Sequence, residues 1–108
     1  MNDPEYDRIV NDPEFAKSVN KLLRLARQWS GTSPIAAMVL LSAYDGPKYT
    51  FASSSLQSFD PYTLSCALHV ITVRARTGIS PHEAKGIGHE PLIALMERYE
   101  SSADLSLL

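Results

Sequence analysis

Apolar positions recur at intervals of three and four along most of this chain, and prolines mark where the runs begin. Phe15, Val19, Leu22, Ala26 and Trp29 form one stripe of a helix predicted over residues 13–29, with Lys17, Lys21, Arg24 and Gln28 on another side. Asp12-Pro13-Glu14 opens it. An aspartate carboxylate can accept the orphan N–H groups of a first turn, proline has no N–H to leave unpaired there, and glutamate suits the positive end of the dipole. Gly31 is the predicted stop, where glycine enters the left-handed region cheaply. Asp3-Pro4-Glu5 repeats the opening motif and predicts one or two loose turns through Val10.

Ser33-Pro34 starts a helix over residues 34–44 by the same logic, and Asp45-Gly46-Pro47 ends it. Ile35 to Leu41 is apolar nearly all round, which predicts an interior helix, antiparallel to its predecessor across a short connection. Residues 48–59 read as mixed. Lys48-Tyr49-Thr50-Phe51 suits a brief strand, Ser53-Ser54-Ser55 a loop or cap, and Leu56 and Phe59 a turn pinned to the core. Asp60-Pro61 opens a helix over residues 61–76 that Gly78 stops, with Leu64, Leu68 and Ile71 marking one face and Ala67, Val70 and Val73 widening it. The β-branched residues favour a strand locally, but the Asp-Pro start and the length favour helix, and this element is expected to be central. Ser80-Pro81-His82-Glu83 fits a capping box good for about one turn before Gly86 and Gly88. The last helix is predicted from Glu90-Pro91 to Glu100, with Leu92, Leu95, Met96 and Tyr99 as its stripe and residues 101–108 as a frayed tail. The expected fold is mainly α: one domain over residues 1–108, a compact bundle or orthogonal array of four to five helices, with at most one short strand or irregular segment near 48–59.

Composition narrows the class. With 44% hydrophobic and 20% charged residues the chain is in the globular range, and a net charge of −2 gives no broad positive field for nucleic acid. One cysteine, Cys66, excludes an internal disulfide and suits a reducing compartment, so a cytoplasmic location is expected. The acidic N-terminus carries no secretory pattern, and the longest apolar run, Ile35 to Leu41, is far below the roughly 20 residues that span a membrane.

Candidate chemistry is sparse. His82-Glu83 and His89-Glu90 do not make the His-Glu-x-x-His spacing that puts two imidazoles on one helical face, so both are expected as exposed polar residues near helix starts, without metal. Cys66 and His69, three apart, would be a nucleophile and base only with a lowered thiol pKa, and packing is the better reading. Gly86-Ile87-Gly88 lacks the third glycine of a dinucleotide loop, and no Gly-x-Ser-x-Gly elbow is present. The N-terminal acids are explained as caps. No catalytic, cofactor-binding or metal-binding residue is assigned, and no enzyme activity is expected.

Two surfaces remain. Tyr44, Tyr49, Phe51, Phe59 and Tyr62 gather around the irregular segment and would suit a partner surface, since tyrosine joins apolar area to a polar tip. Lys17, Lys21, Arg24 and Arg27 form a basic face on the first main helix. A helix-turn-helix reading fails because the following helix is apolar and would not read base edges.

From Leu22 to Tyr99 the chain resembles a family of short bacterial proteins of unknown function found on plasmids and phages. The matching stretches are Leu22 to Arg27 with Gly31, the apolar helix Ala36 to Tyr44, the Phe59-Asp60 step, and Gly86-Ile87-Gly88-His89-Glu90. Between its second and third helices this chain departs from the pattern, which is richer in tryptophan there. The resemblance implies the helical order and a bacterial, mobile-element origin, and brings no catalytic residue. The expected function is a non-enzymatic protein-binding module, such as an inhibitor or adaptor, with an unknown protein partner or a second copy of the chain. The alternative is a small nucleic-acid-associated regulator using the basic face.

Overall fold

The computed structural model describes residues 3–46 and 48–106, with side chains described as far as Glu100. Five α-helices follow in order: α1 Pro4–Val10, α2 Pro13–Ala26, α3 Ser33–Tyr44, α4 Pro61–Thr77 and α5 Glu90–Ser106. Short 3-10 turns lie at Ser53–Ser58 and Pro81–Glu83. Among the described residues there is no strand, so Lys48 to Phe51 is not one; a lone extended segment with no partner has no ladder to join.

The Asp-Pro chemistry makes three of the helix starts. Asp3, Asp12 and Asp60 are each extended before a proline, and their side chains accept N–H bonds from Glu5, Glu14 and Thr63. Asp60 also accepts from the Thr63 hydroxyl at 3.0 Å, and these two bonds hold its carboxyl below the usual carboxylate range. Gly78, at φ 77°, closes α4 in the left-handed conformation with its N–H on the Arg74 carbonyl. The Ser80 capping box forms as predicted. Ser33 is not a cap: it lies inside α3, and its Oγ accepts the Ser30 N–H at 3.1 Å.

The central element is α3 rather than the helix after Asp60. Ala36, Ala37, Val39, Leu40 and Leu41 are fully buried, and α3 packs on α2, α4, α5 and the Pro81–Glu83 turn. A helix without a charged side chain can be surrounded, whereas α4 carries Ser65, Thr72, Arg74 and Arg76 and must keep a side in water. The buried line of α4 is Thr63, Cys66, Ala67 and Val70. Its predicted stripe is displaced: Leu64 and Ile71 are half-buried and Leu68 is exposed. Small residues at the contact let α4 approach both α2 and α3 closely.

Helix α2 buries Phe15, Val19, Leu22, Leu23 and Ala26, but it ends at Ala26 and leaves Trp29 outside the stripe. Gly31 does not take a positive φ. Donors from α5 satisfy the helix end instead. The Arg98 guanidinium donates to the carbonyls of Ala26 at 3.0 Å and Gln28 at 2.6 Å, and the Tyr99 hydroxyl donates to Ala26 at 2.8 Å. Helix α5 continues to Ser106, so the frayed tail predicted from residue 101 is helical over most of its length. Met1, Asn2, Pro47 and residues 107–108 lie outside the described residues.

Burial and capping should separate in size. Leu40→Ala, at the centre of α3, is expected to cost about 2–5 kcal/mol of unfolding free energy. Asp60→Ala, which removes an exposed cap, is expected to cost about 1 kcal/mol. Urea titration of both variants checks the order; equal losses would contradict the placement of α3.

Candidate functional site

The five aromatics expected to form a partner surface do not make one. Tyr49 and Phe59 are only 8% and 7% exposed and belong to the core, while Tyr44 and Phe51 are half-buried. Tyr62 alone among them is open to solvent. The irregular connection between α3 and α4 has no apolar face of its own to bury, so its rings turn inward and close the core beneath it. The Tyr49 hydroxyl donates to Glu100 Oε1 at 2.6 Å, and Lys48 Nζ reaches the same oxygen at 2.5 Å, tying the connection to α5. Burial first, and the Glu100 bond second, push the Tyr49 phenol up to about 12.

His89 is exposed just before α5, as expected, but His82 is half-buried and the two rings come together. His82 and His89 stack with ring centroids 4.0 Å apart, and Tyr44 stands edge-on to both while its hydroxyl meets His89 Nδ1 at 2.7 Å. Burial, then the neighbouring His89, holds His82 below its ordinary value. The turn at Pro81–Glu83 and the start of α5 converge on the end of α3, a convergence with no signature in local sequence. Among the described residues no group of three histidine, cysteine or carboxylate side chains is placed to hold a metal. Cys66 is buried, and His69 turns to Ser18 Oγ at 2.9 Å with its ring tilted against Phe15. Ser18 is itself buried, so this pair is a satisfied polar contact within the core edge.

The basic residues do converge. Helical geometry puts Lys17, Asn20, Lys21, Arg24 and Arg27 on the side of α2 opposite its buried stripe, and Gln28 follows them. Lys17, Asn20, Arg24, Arg27 and Gln28 are exposed and Lys21 is half-buried. Pro13, Ala16, Lys17, Asn20, Arg24 and Arg27 line a shallow open groove of about 490 Å3. Arg24 also borders a smaller cleft of about 130 Å3 where Lys21 faces Asp60. From Phe15 to Tyr44 the sequence has four cations and no carboxylate. The ion pairs seen among the described residues, Arg8–Glu5 and Lys48–Glu100, lie elsewhere. The charge on this face is thus locally positive although the chain as a whole is at −2.

One exposed ring borders this face, and a second follows Arg27 by two positions in the chain. Lys21 Nζ lies 5.9 Å from the centre of the Tyr62 ring, which is 49% exposed. Beyond Gln28 stands Trp29, 86% exposed, with the Arg98 guanidinium carbon 3.7 Å from its ring centre. The sequence placed Trp29 in the buried stripe. Only the early end of α2, set by Arg98, turns it outward. A row of cations with an exposed ring beside it can bind polyanions, aromatic ligands, or a molecule that is both.

Residues 16–100 match a family of unknown function, DUF7673. No curated protein and no solved structure matches the chain. Among the described residues no helix is long and apolar enough to cross a membrane.

Tyr49 gives the clearest pH expectation. Its phenol is ordinarily near 10 and is raised to about 12 in the folded chain, so the folded state holds this proton more tightly. The associated stability is complete below pH 10 and is lost as the pH rises from 10 towards about 12. Absorbance titration of the tyrosinates should show a late transition that Tyr49→Phe removes.

Proposed function

We propose, for a chain that belongs to the DUF7673 family and so has no activity assigned by kinship, that it is a non-enzymatic binding module holding nucleic acid against the exposed face of α2. The observation that carries this reading is the row of exposed Lys17, Arg24 and Arg27 with half-buried Lys21 on one face, in a stretch of thirty residues free of carboxylates. Lysine and arginine side chains that neutralise phosphates release condensed counterions, which drives binding without base-specific contacts. Asp12 and Glu14 bound this face at the start of α2 and Asp60 borders it beside Lys21, while Glu100 pairs with Lys48 elsewhere. The inaccessible Cys66 and the Ser18-bound His69 favour a binding role over a catalytic one.

A second reading, a protein-binding or self-associating module, is favoured by one observation: an exposed tryptophan backed by arginine, the pair of residue types that dominate interface energetics. It differs in being weakly dependent on salt, and a dimer in sedimentation velocity that Trp29→Ala dissociates would support it. A cytoplasmic setting, as the single cysteine suggests, and a bacterial mobile-element origin, as the sequence resemblance implies, fit either role.

Four phosphate contacts predict a log–log salt slope of roughly −3 for oligonucleotide affinity. Fluorescence anisotropy at low and moderate salt measures it. Lys17→Ala combined with Arg24→Ala should reduce the slope by about half, with an unchanged circular dichroism spectrum because both side chains are exposed. Absence of any binding at low salt removes this reading.

A further inference from the structure

We infer that the nucleic acid held on α2 is single-stranded and that Trp29 stacks on one of its bases. This rests on the preceding reading and adds what the cations alone do not specify. The indole is the only tryptophan in the chain and is 86% exposed, although it follows an apolar register that would have buried it had α2 continued.

Its position is fixed rather than loose. Arg98 lies 3.7 Å from the ring centre, and that guanidinium is itself anchored to the carbonyls of Ala26 and Gln28. One face of the indole therefore rests on a planar cation held by two backbone groups. With so much of the residue open to solvent, the opposite face is accessible. A base laid on that face would complete a base–indole–guanidinium stack, in which the cation reinforces the aromatic contact.

The placement fits a strand running along the helix. Lys17 and Arg27 are ten positions apart, about 15 Å at the helical rise of 1.5 Å per residue, and Trp29 follows Arg27 by two positions in the chain. Phosphates tracking the cations would bring the next nucleotide to the indole. Tyr62, beside Lys21, offers a further ring along the same path. A duplex could meet the cations equally well, but its bases are stacked on one another and present no free face to Trp29. Only an unpaired base uses both halves of the surface.

Because Trp29 is the sole tryptophan, its fluorescence reports this contact directly. The unaltered chain is titrated at low salt with a short oligothymidylate and, separately, with a hairpin duplex of the same length, each also followed by anisotropy of a labelled strand. The expected result is quenching of Trp29 by the single strand, and binding about tenfold or more tighter than to the duplex. Trp29→Ala should weaken single-strand binding by about tenfold and leave duplex binding unchanged, while Trp29→Phe retains most of the affinity. Equal affinity for the two forms, with no quenching and no effect of Trp29→Phe or Trp29→Ala, overturns the inference and leaves the electrostatic reading standing. No binding of either form defeats both. Quenching is read on the unaltered chain, so the test holds even if Trp29→Ala fails to fold.

Discussion

Helix α3 carries no charged side chain between Ser33 and Tyr44, and this absence organises the whole chain. An apolar helix of that kind needs cover over most of its surface, and a narrow line through Pro34, Ile35, Met38 and Ser42 stays exposed or half-buried. Helices α2, α4 and α5 and the Pro81–Glu83 turn supply that cover, each giving one face to α3. Each covering helix is then committed to being two-sided. The polar face of α2, on which the proposed function depends, exists because its opposite face, Phe15 to Ala26, is sealed against α3 and α4.

The junction between α2 and α5 links this architecture to the candidate surface. A helix end leaves carbonyls without partners, and glycine in the left-handed conformation is a common remedy. Here Arg98 and Tyr99 reach across from α5 and take the carbonyls of Ala26 and Gln28. The helix stops short, the chain turns, and Trp29 is left facing solvent on a rigid support. The interaction that closes the fold at this corner also sets the geometry of the most exposed aromatic ring.

The remaining polar side chains inside the structure are mostly local fasteners. Ser18 with His69 joins α2 to α4, Tyr49 with Glu100 joins the α3–α4 connection to α5, and Tyr44 with His82 and His89 joins three elements at one end of α3. Each meets a partner within hydrogen-bonding distance, as partly buried polar groups must if they are not to cost stability. Such pairings explain why several residue types that suggest chemistry in isolation are held in structural roles.

Helix identity and starting points were legible in the sequence, because Asp-Pro-Glu and Asp-Pro steps act through bonds within one turn and Gly78 needs only its own φ. The apolar character of α3 was legible for the same reason: it is a property of twelve consecutive residues. The spacing of the α2 cations could also be read from periodicity alone; Lys17, Arg24 and Arg27 are exposed and Lys21 is half-buried. What required tertiary structure was everything decided by a distant partner. The end of α2 depends on Arg98, about seventy positions away, which no local pattern around Gly31 could reveal. The inward turn of Tyr49 and Phe59, the outward turn of Trp29, and the shift of α4's contact line from Leu64, Leu68 and Ile71 onto the predicted flank of Ala67 and Val70, with Cys66, follow from how helices share a limited apolar interior. Local chemistry fixes where a helix begins; competition for burial and for backbone carbonyls decides where it ends and which rings remain in water.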